Sequence, residues 1–108
     1  MSNKYKARKT EIDGILFDSK REAARYQELR LLVRAGLICE LESQKKFDLI
    51  VNDQKVCSYY ADFMYYDKEK ECWIVEDVKG GKATQTPVYR LKKKLMKAVL
   101  GIEIVEVE

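Results

Sequence analysis

The sequence predicts an α/β domain with a central mixed sheet of four or five strands, flanked by two helices. Two segments carry apolar residues at helical spacing, and the sequence between them is rich in strand-forming residues. A strand, a helix and a further strand then close the chain, as in a parallel crossover. The 108 residues fit one compact domain, which we predict to span residues 12–108.

The N-terminal residues 1–11 are polar and basic, and we predict that they form a flexible arm. Such an arm is either a frayed terminus or a segment that contacts phosphate groups. The basic residues available for phosphate contacts are Lys4, Lys6, Arg8 and Lys9. A short extended piece, Ile12–Phe17, follows the arm, with a turn at Asp13 and Gly14.

The first predicted helix spans Lys20–Ala35. Ser19 at the N-cap and Glu22 three residues later form a capping-box pattern, and Gly36 ends the helix. The apolar stripe of this helix contains Tyr26, Leu29 and Val33. Glu22 lies on the same stripe, so it either closes the helix cap with Ser19 or points inward as a carboxylate. The pattern leaves both alternatives open.

Four strands are predicted between the helices from runs of apolar and aromatic residues. They are Leu37–Ser43, Phe47–Val51, Val56–Tyr66 and Cys72–Lys79. Asn52 and Asp53 form a turn signal after the second strand, and Gly80 with Gly81 ends the fourth.

The second predicted helix begins with Thr86 as N-cap and Pro87 at its first position, and runs to Leu100 before Gly101. Its predicted core stripe contains Val88, Leu91, Leu95 and Val99. The basic residues on the opposite face are Arg90, Lys93, Lys94 and Lys97. The final strand, Ile102–Val107, is expected to pair in parallel with the strand before the helix.

The amino-acid composition excludes several kinds of active site. The chain has no histidine, which removes Ser-His-Asp triads, histidine general bases and Cys-His zinc sites. Its three cysteines match no disulfide framework or zinc motif, so we expect buried thiols in a reducing cytoplasm. No apolar run is long enough to span a membrane, and we expect neither a membrane partner nor a nucleotide cofactor.

Charge is distributed unevenly along the chain, although the net charge is only +3. The segment from Lys79 to Lys97 has seven basic residues and no acidic one, and it follows an acidic middle region. Basic clusters beside a small acidic site suit a polyanion whose chemistry needs a bound cation. The alternative interpretation is a solvated, charge-rich surface.

The pattern Asp-x-Lys occurs three times, and one copy is unusual. The first copy, Asp18-Ser19-Lys20, lies at a helix start, and the second, Asp53-Gln54-Lys55, lies in a turn. Only the third, Asp77-Val78-Lys79, ends an apolar strand and leads into a basic helix. Asp77 and Lys79 share one face of that strand. Both are costly to desolvate unless they are partnered.

A second carboxylate, Asp62, lies inside the preceding aromatic strand. If the two strands form a hairpin around Glu69 and Lys70, a loop of two or four residues places Asp62 opposite Asp77. A loop of three or five residues would instead place Glu76 on the face of Asp62. We favour Asp77, because Lys79 then joins the same site.

Two adjacent carboxylates repel each other unless a cation or a proton lies between them. Mg²⁺ or Mn²⁺ held by Asp62 and Asp77 could polarise a phosphodiester and activate a water, and Lys79 could hold that water or stabilise the charge of the transition state. The simpler alternative is a strand-end salt bridge between Lys79 and either Asp. Tyr89 and Lys92, at the start of the second helix, could hold a phosphate of the scissile strand or could be ordinary flanking residues.

Four segments together resemble the PD-(D/E)XK nuclease superfamily, and especially small phage-type proteins related to Holliday junction resolvases. These segments are Phe17–Ala23, Tyr60–Phe63, Ile74–Gly80 and Tyr89–Lys92. The resemblance implies a restriction-endonuclease-like core and catalytic roles for Asp62, Asp77, Lys79 and Glu22, with the three carboxylates binding the metal. Ala61 stands where the proline of the superfamily's name is expected.

The resemblance implies a Mg²⁺- or Mn²⁺-dependent endonuclease that cuts Holliday junctions or other branched DNA as a homodimer. It also implies a phage-encoded protein that acts in the bacterial host. Two alternatives remain. One is a general or nicking nuclease that processes phage DNA, and the other is a DNA-binding accessory protein that keeps the fold without catalysis.

Overall fold

The computed structural model describes residues 9–79 and 86–108, which form six strands and two helices. In chain order these are β1 (Thr10–Ile12), β2 (Ile15–Phe17), α1 (Lys20–Arg34), β3 (Ile38–Val51), β4 (Gln54–Asp67), β5 (Cys72–Val78), α2 (Pro87–Leu100) and β6 (Val105–Val107). Strands β3, β4, β5 and β6 form a mixed four-stranded sheet in that order, and β1 pairs with β2 in a separate two-stranded sheet. The predicted α/β class and mixed four-stranded sheet with two helices are confirmed.

The segment before α1 is a tight hairpin whose turn was expected from its sequence. Asp13 and Gly14 both have positive φ, 53° and 78°, as the two central residues of a type I′ turn require. Strand β1 starts at Thr10, so the last two residues of the segment predicted as an arm lie in a strand. Helix α1 begins where the capping residue predicts, since the Ser19 side chain accepts a hydrogen bond from the Glu22 amide at 3.1 Å.

Strands β3 and β4 form one long antiparallel hairpin, where the sequence suggested a break between two strands before the turn. The polar residues around Gln44 resemble a loop, but they keep their pairing with β4 through local irregularities, with positive φ at Glu40 and Gln44. Asn52 and Asp53 form the turn, with φ values of 50° and 64°. The prediction of two separate strands was therefore wrong, because pairing with β4 overrides the local polarity.

Strands β4 and β5 form the second hairpin of the sheet. Asp67 pairs with Cys72, so the loop from Lys68 to Glu71 has four residues, one of the lengths that the sequence analysis required. The Asp67 side chain accepts hydrogen bonds from the amides of Glu69 and Lys70, which stabilises the loop. Strand β6 then pairs with β5 in parallel, which confirms the predicted crossover.

Helix α2 has the predicted limits, with Thr86 accepting the Tyr89 amide at its start and Gly101 at φ 70° after its end. Its orientation differs from the prediction. Val88 and Leu91, assigned to the core stripe, are 61% and 58% exposed, whereas Met96 is fully buried. The helix therefore packs on the sheet through a face centred on Met96. This face is rotated by part of a turn from the apolar stripe that the sequence predicts.

The interior consists of two clusters of buried side chains. The first joins α1 to the sheet through residues that include Phe17, Leu29 and Phe63, and the second joins α2 to the sheet through residues that include Leu49 and Met96. Neither of the two described helices is long and apolar enough to cross a membrane. The clusters hold β5 between the helices, which determines what its alternating side chains contact.

Candidate active site

The register of the second hairpin brings the two strand aspartates together. Phe63 pairs with Glu76, and one further step along both antiparallel strands places Asp62 across from Asp77. The Asp62 carboxylate also accepts a hydrogen bond from the Val78 amide at 2.7 Å. The predicted hairpin and its register are confirmed, and Asp62 is a close neighbour of Asp77 because the intervening loop has four residues.

The environment of Asp62 disfavours its ionised form. Burial raises the pKa of Asp62 to about 8, and a hydrogen bond with the Asp77 carboxyl acts in the same direction. The Val78 amide lowers the pKa, and the nearby Glu22 raises it. A proton between the two aspartates therefore stabilises the pair when no cation is bound.

Glu22 belongs to the same group of charges. Burial raises the pKa of Glu22 to about 7, with further contributions from Asp18 and Asp77. Its backbone amide makes the helix cap with Ser19, while its carboxylate is half-buried beside the strand aspartates. The two alternatives for Glu22 are thus compatible, because the amide serves the cap and the side chain faces the site.

Lys79 contacts Asp77 and an aromatic ring. Its ammonium nitrogen lies 3.1 Å from Asp77 Oδ2 and 3.3 Å from the centre of the Tyr89 ring. The ion pair is largely shielded, with side-chain exposures of 11% for Lys79 and 14% for Asp77. The negative face of the ring and the carboxylate together fix the ammonium group at the edge of the carboxylate cluster.

Tyr59 is a site residue that the sequence analysis missed. Its hydroxyl donates to Asp77 Oδ2 at 3.1 Å, and the residue is only 4% exposed. Burial raises the pKa of the Tyr59 hydroxyl, and the charge of Asp77 raises it further, so the hydroxyl remains a donor. Its position in an aromatic strand three residues before Asp62 was the available signal, but many core tyrosines share it.

Tyr89 supports Lys79 from α2, where the sequence suggested a contact with phosphate. The Tyr89 hydroxyl donates to Glu106 Oε2 at 2.7 Å, and Lys93 contacts the same oxygen at 3.0 Å. These hydrogen bonds lower the pKa of Glu106. Glu106 lies on β6 directly beside Asp77 of β5, so α2, β5 and β6 all contribute to this network.

The other side of β5 carries a buried ion pair. Glu76 is 1% exposed, and Arg25 donates to its two oxygens at 2.9 and 2.6 Å, while the Tyr65 hydroxyl donates to one of them. Arg25 follows Glu22 by one turn of α1, so the pair fixes that part of the helix against β5. Glu76 therefore has a structural role on the opposite face and is not a partner of Asp62.

The predicted phosphate-binding residues of α2 differ in exposure. Arg90, Lys94 and Lys97 are exposed, whereas Lys92 and Lys93 are half-buried. Lys9 is exposed ahead of β1. Three residues of the predicted arm, Lys4, Lys6 and Arg8, lie outside the described residues.

The arrangement is not a complete metal cage as it stands. Within residues 9–79 and 86–108, no group of three or more carboxylate or cysteine side chains is placed so that it could hold a metal ion. The group nonetheless contains two adjacent aspartates, a third carboxylate close enough to raise the pKa of Asp62, and one lysine paired with Asp77.

Comparison with known proteins gives one family. The family description "protein of unknown function (DUF1064)" matches residues 2–102, which is most of the chain. The chain belongs to the DUF1064 family. No curated protein and no solved structure matches it. The match covers Glu22, Asp62, Asp77 and Lys79, so all four candidate residues lie within the part of the chain that defines this DUF1064 protein.

Proposed function

We propose that this DUF1064 protein is a metal-dependent DNA endonuclease with a restriction-endonuclease-like core of the PD-(D/E)XK type. The supporting observation is the hairpin register that brings Asp62 across from Asp77, with Lys79 paired to Asp77. Two carboxylates and a lysine at the end of a central strand form the arrangement that the resemblance requires. The position of Glu22 beside them adds the fourth residue.

The side chains fit a hard divalent cation in donor chemistry. Mg²⁺ and Mn²⁺ prefer oxygen ligands and retain several water molecules, so one or two carboxylates can be enough to bind them. Asp62 and Asp77 would hold the cation, with Glu22 as a third donor. The raised pKa values of Glu22 and Asp62 fit this role, because a bound cation would replace the proton as the stabilising charge.

The protein's own residues would position the substrate and balance its charge. When bound, the cation would polarise the scissile phosphodiester and lower the pKa of an attacking water. Lys79, held between Asp77 and the Tyr89 ring, would donate to the negative oxygens that develop during hydrolysis. Tyr59 would orient Asp77 through its hydroxyl, and the basic residues of α2 would contact the DNA backbone.

Branched DNA, including Holliday junctions, is the substrate class that the resemblance favours. A symmetric junction requires two cuts, so we propose that two copies of the chain act together. Cleavage of a four-way junction, a flap, a linear duplex and a single strand in Mg²⁺ or Mn²⁺ tests the proposal. We expect cleavage by the wild type and a loss of at least about 100-fold for Asp77→Ala.

Suitable variants keep the fold while they separate loss of charge at the site from loss of charge elsewhere on the surface. Asp77→Asn preserves the size of the side chain and removes its charge, whereas Asp53→Asn changes an exposed turn residue far along the chain. Failure of the wild type to cut any substrate with either cation would refute the nuclease. Equal cleavage of all substrates would leave a general or nicking nuclease in place of a junction enzyme.

A DNA-binding accessory protein without catalysis is the second candidate. Two observations favour it: Lys79 neutralises Asp77, and the described residues do not form a ready-made metal cage. Binding of branched DNA that is unchanged by Mg²⁺, by chelator and by Asp77→Asn, together with no cleavage, would support this function over the nuclease.

A further inference from the structure

The outer surface of α2 carries two parallel rows of side chains. An apolar row consists of Val88, Leu91 and the half-buried Leu95, and a basic row consists of Arg90, Lys94 and Lys97. Val88 and Leu91 are 61% and 58% exposed although they are aliphatic. At 100° per residue, the rows lie on the two flanks of the exposed face, so one bound molecule could contact both.

The basic row borders a groove of about 320 Å³. Arg90, Lys93, Lys94 and Lys97 line this groove together with Glu103 and Ile104. Lys97 pairs with Glu103 at 3.2 Å and Lys93 with Glu106 at 3.0 Å, so part of the charge is neutralised. The helix carries five basic residues in total and no acidic one, so its own charge is positive.

The N-terminal end of the two rows is the end nearer to the candidate active site. Tyr89, in the first turn of α2, projects toward the sheet, about 100° around the helix from Val88 and from Arg90, and contacts the Lys79 ammonium at 3.3 Å. A strand bound along the outer face of α2 would therefore approach the site at the first turn of the helix.

The basic row and the apolar row together indicate which class of molecule can bind the outer face of α2. The basic residues follow one another at three or four positions, about 4.5 to 6 Å along the helix axis. They suit a polyanion, and the apolar row suits exposed apolar faces on the same molecule. A single nucleic-acid strand offers both, because its phosphates and its unstacked bases lie on different sides. A duplex keeps its bases inside, and a second copy of α2 would bring like charges together.

We propose that α2 binds a single-stranded segment of DNA, with phosphates along the basic row and bases against the apolar row. The inference rests on the proposed nuclease function and narrows its substrate class to DNA with an unpaired strand next to the cut. Flaps, forks and opened junction arms belong to this class, and fully paired linear duplex does not.

Binding without catalysis tests the inference. Fluorescence anisotropy in chelator, with a labelled single strand and the same sequence as a duplex, measures affinity while cleavage is prevented. We expect Leu91→Ser to weaken single-strand binding by about fivefold or more, since apolar contact with a base is lost. Duplex binding should change by less than about twofold. The matched control is Leu31→Ser on α1, where the leucine is 62% exposed.

A second variant and a mass measurement separate the remaining outcomes. Val88→Ser should repeat the effect of Leu91→Ser, and circular dichroism checks that both variants keep their helices. Unchanged single-strand affinity, or equal losses on single strand and duplex, would overturn the inference and leave the nuclease proposal intact. So would a shift from dimer to monomer in Leu91→Ser, since the row would then join two copies. Failure of the wild type to bind the single strand would also overturn the inference, whereas the cleavage assay with Mg²⁺ or Mn²⁺ decides the nuclease proposal separately.

Discussion

At the scale of single residues, a local rule identified part of the candidate site. Three Asp-x-Lys patterns exist, and the choice of Asp77 and Lys79 followed from the apolar strand before them. Their neighbours Tyr59 and Glu106 could not be found in this way. Each contacts the site from another strand, and nothing local distinguishes Tyr59 from other tyrosines of β4. Sequence reasoning thus reached the charged residues that are costly to bury, and missed the polar residues that partner them.

The raised pKa values of Asp62 and Glu22 predict an unusual dependence of stability on pH. Their carboxyls stay protonated in the folded state up to about pH 8 and 7, but ionise near pH 4 in the unfolded chain. Their contribution is complete below pH 4 and is lost as the pH rises to about 8. We therefore expect the metal-free protein to become less stable between pH 5 and pH 8, by up to about 1.4 kcal/mol per pH unit for Asp62 and by clearly less for Glu22, whose half-exposed carboxyl is screened by solvent.

Urea unfolding at pH 5, 6, 7 and 8 in chelator measures this effect. Asp62→Asn removes one of the titrating groups, so its unfolding free energy should fall less steeply with pH than that of the wild type. Asp53→Asn, at an exposed turn position, should keep the wild-type slope. Identical slopes for all three proteins would show that Asp62 does not titrate in this range.

At the scale of elements, the ends of the helices were predictable and their rotation was not. Ser19, Thr86 and Gly101 act through hydrogen bonds and backbone angles that involve only nearby residues, so they can be predicted from the local sequence. The face that α2 buries depends on the shape of the sheet below it. The continuous strand β3 has the same origin, since its polar middle is held by pairing with β4.

The packing of α2 predicts a large loss of stability when one of its residues is truncated and almost none when another is. Met96 is fully buried against Leu49 and other residues of the second cluster, so Met96→Ala should reduce the free energy of unfolding by about 2 to 5 kcal/mol. Leu91 is 58% exposed, so Leu91→Ala should change it by less than about 0.5 kcal/mol. Urea unfolding measures both variants. A large loss for Leu91→Ala would mean that the apolar stripe is buried after all.

At the scale of the whole molecule, the order of the elements and the parallel pairing of β5 and β6 followed from the sequence. A strand, a helix and a strand of these lengths leave few alternatives. The position of Asp77 between two helices is a property of the complete fold, because it requires both clusters of buried residues. The match to DUF1064 covers residues 2–102 and so includes every residue of the candidate site except Glu106.

The proposed action on symmetric junctions predicts a dimer. Sedimentation equilibrium of the full chain should give twice the monomer mass at micromolar concentration, and the dimer should persist with a bound four-way junction. One monomer for each junction at saturation would contradict paired cleavage, and would favour the general or nicking nuclease.

The loop from Lys68 to Glu71 has a consequence for how this family can evolve. Side chains alternate along a strand, so adding or deleting one loop residue without a compensating bulge would exchange Asp77 for Glu76 on the face of Asp62. Substitutions in the loop leave this alignment unchanged. Selection should therefore tolerate varied residues at these positions but favour insertions or deletions of two residues. Whether the loop has an even or an odd number of residues should then be inherited more strictly than its sequence.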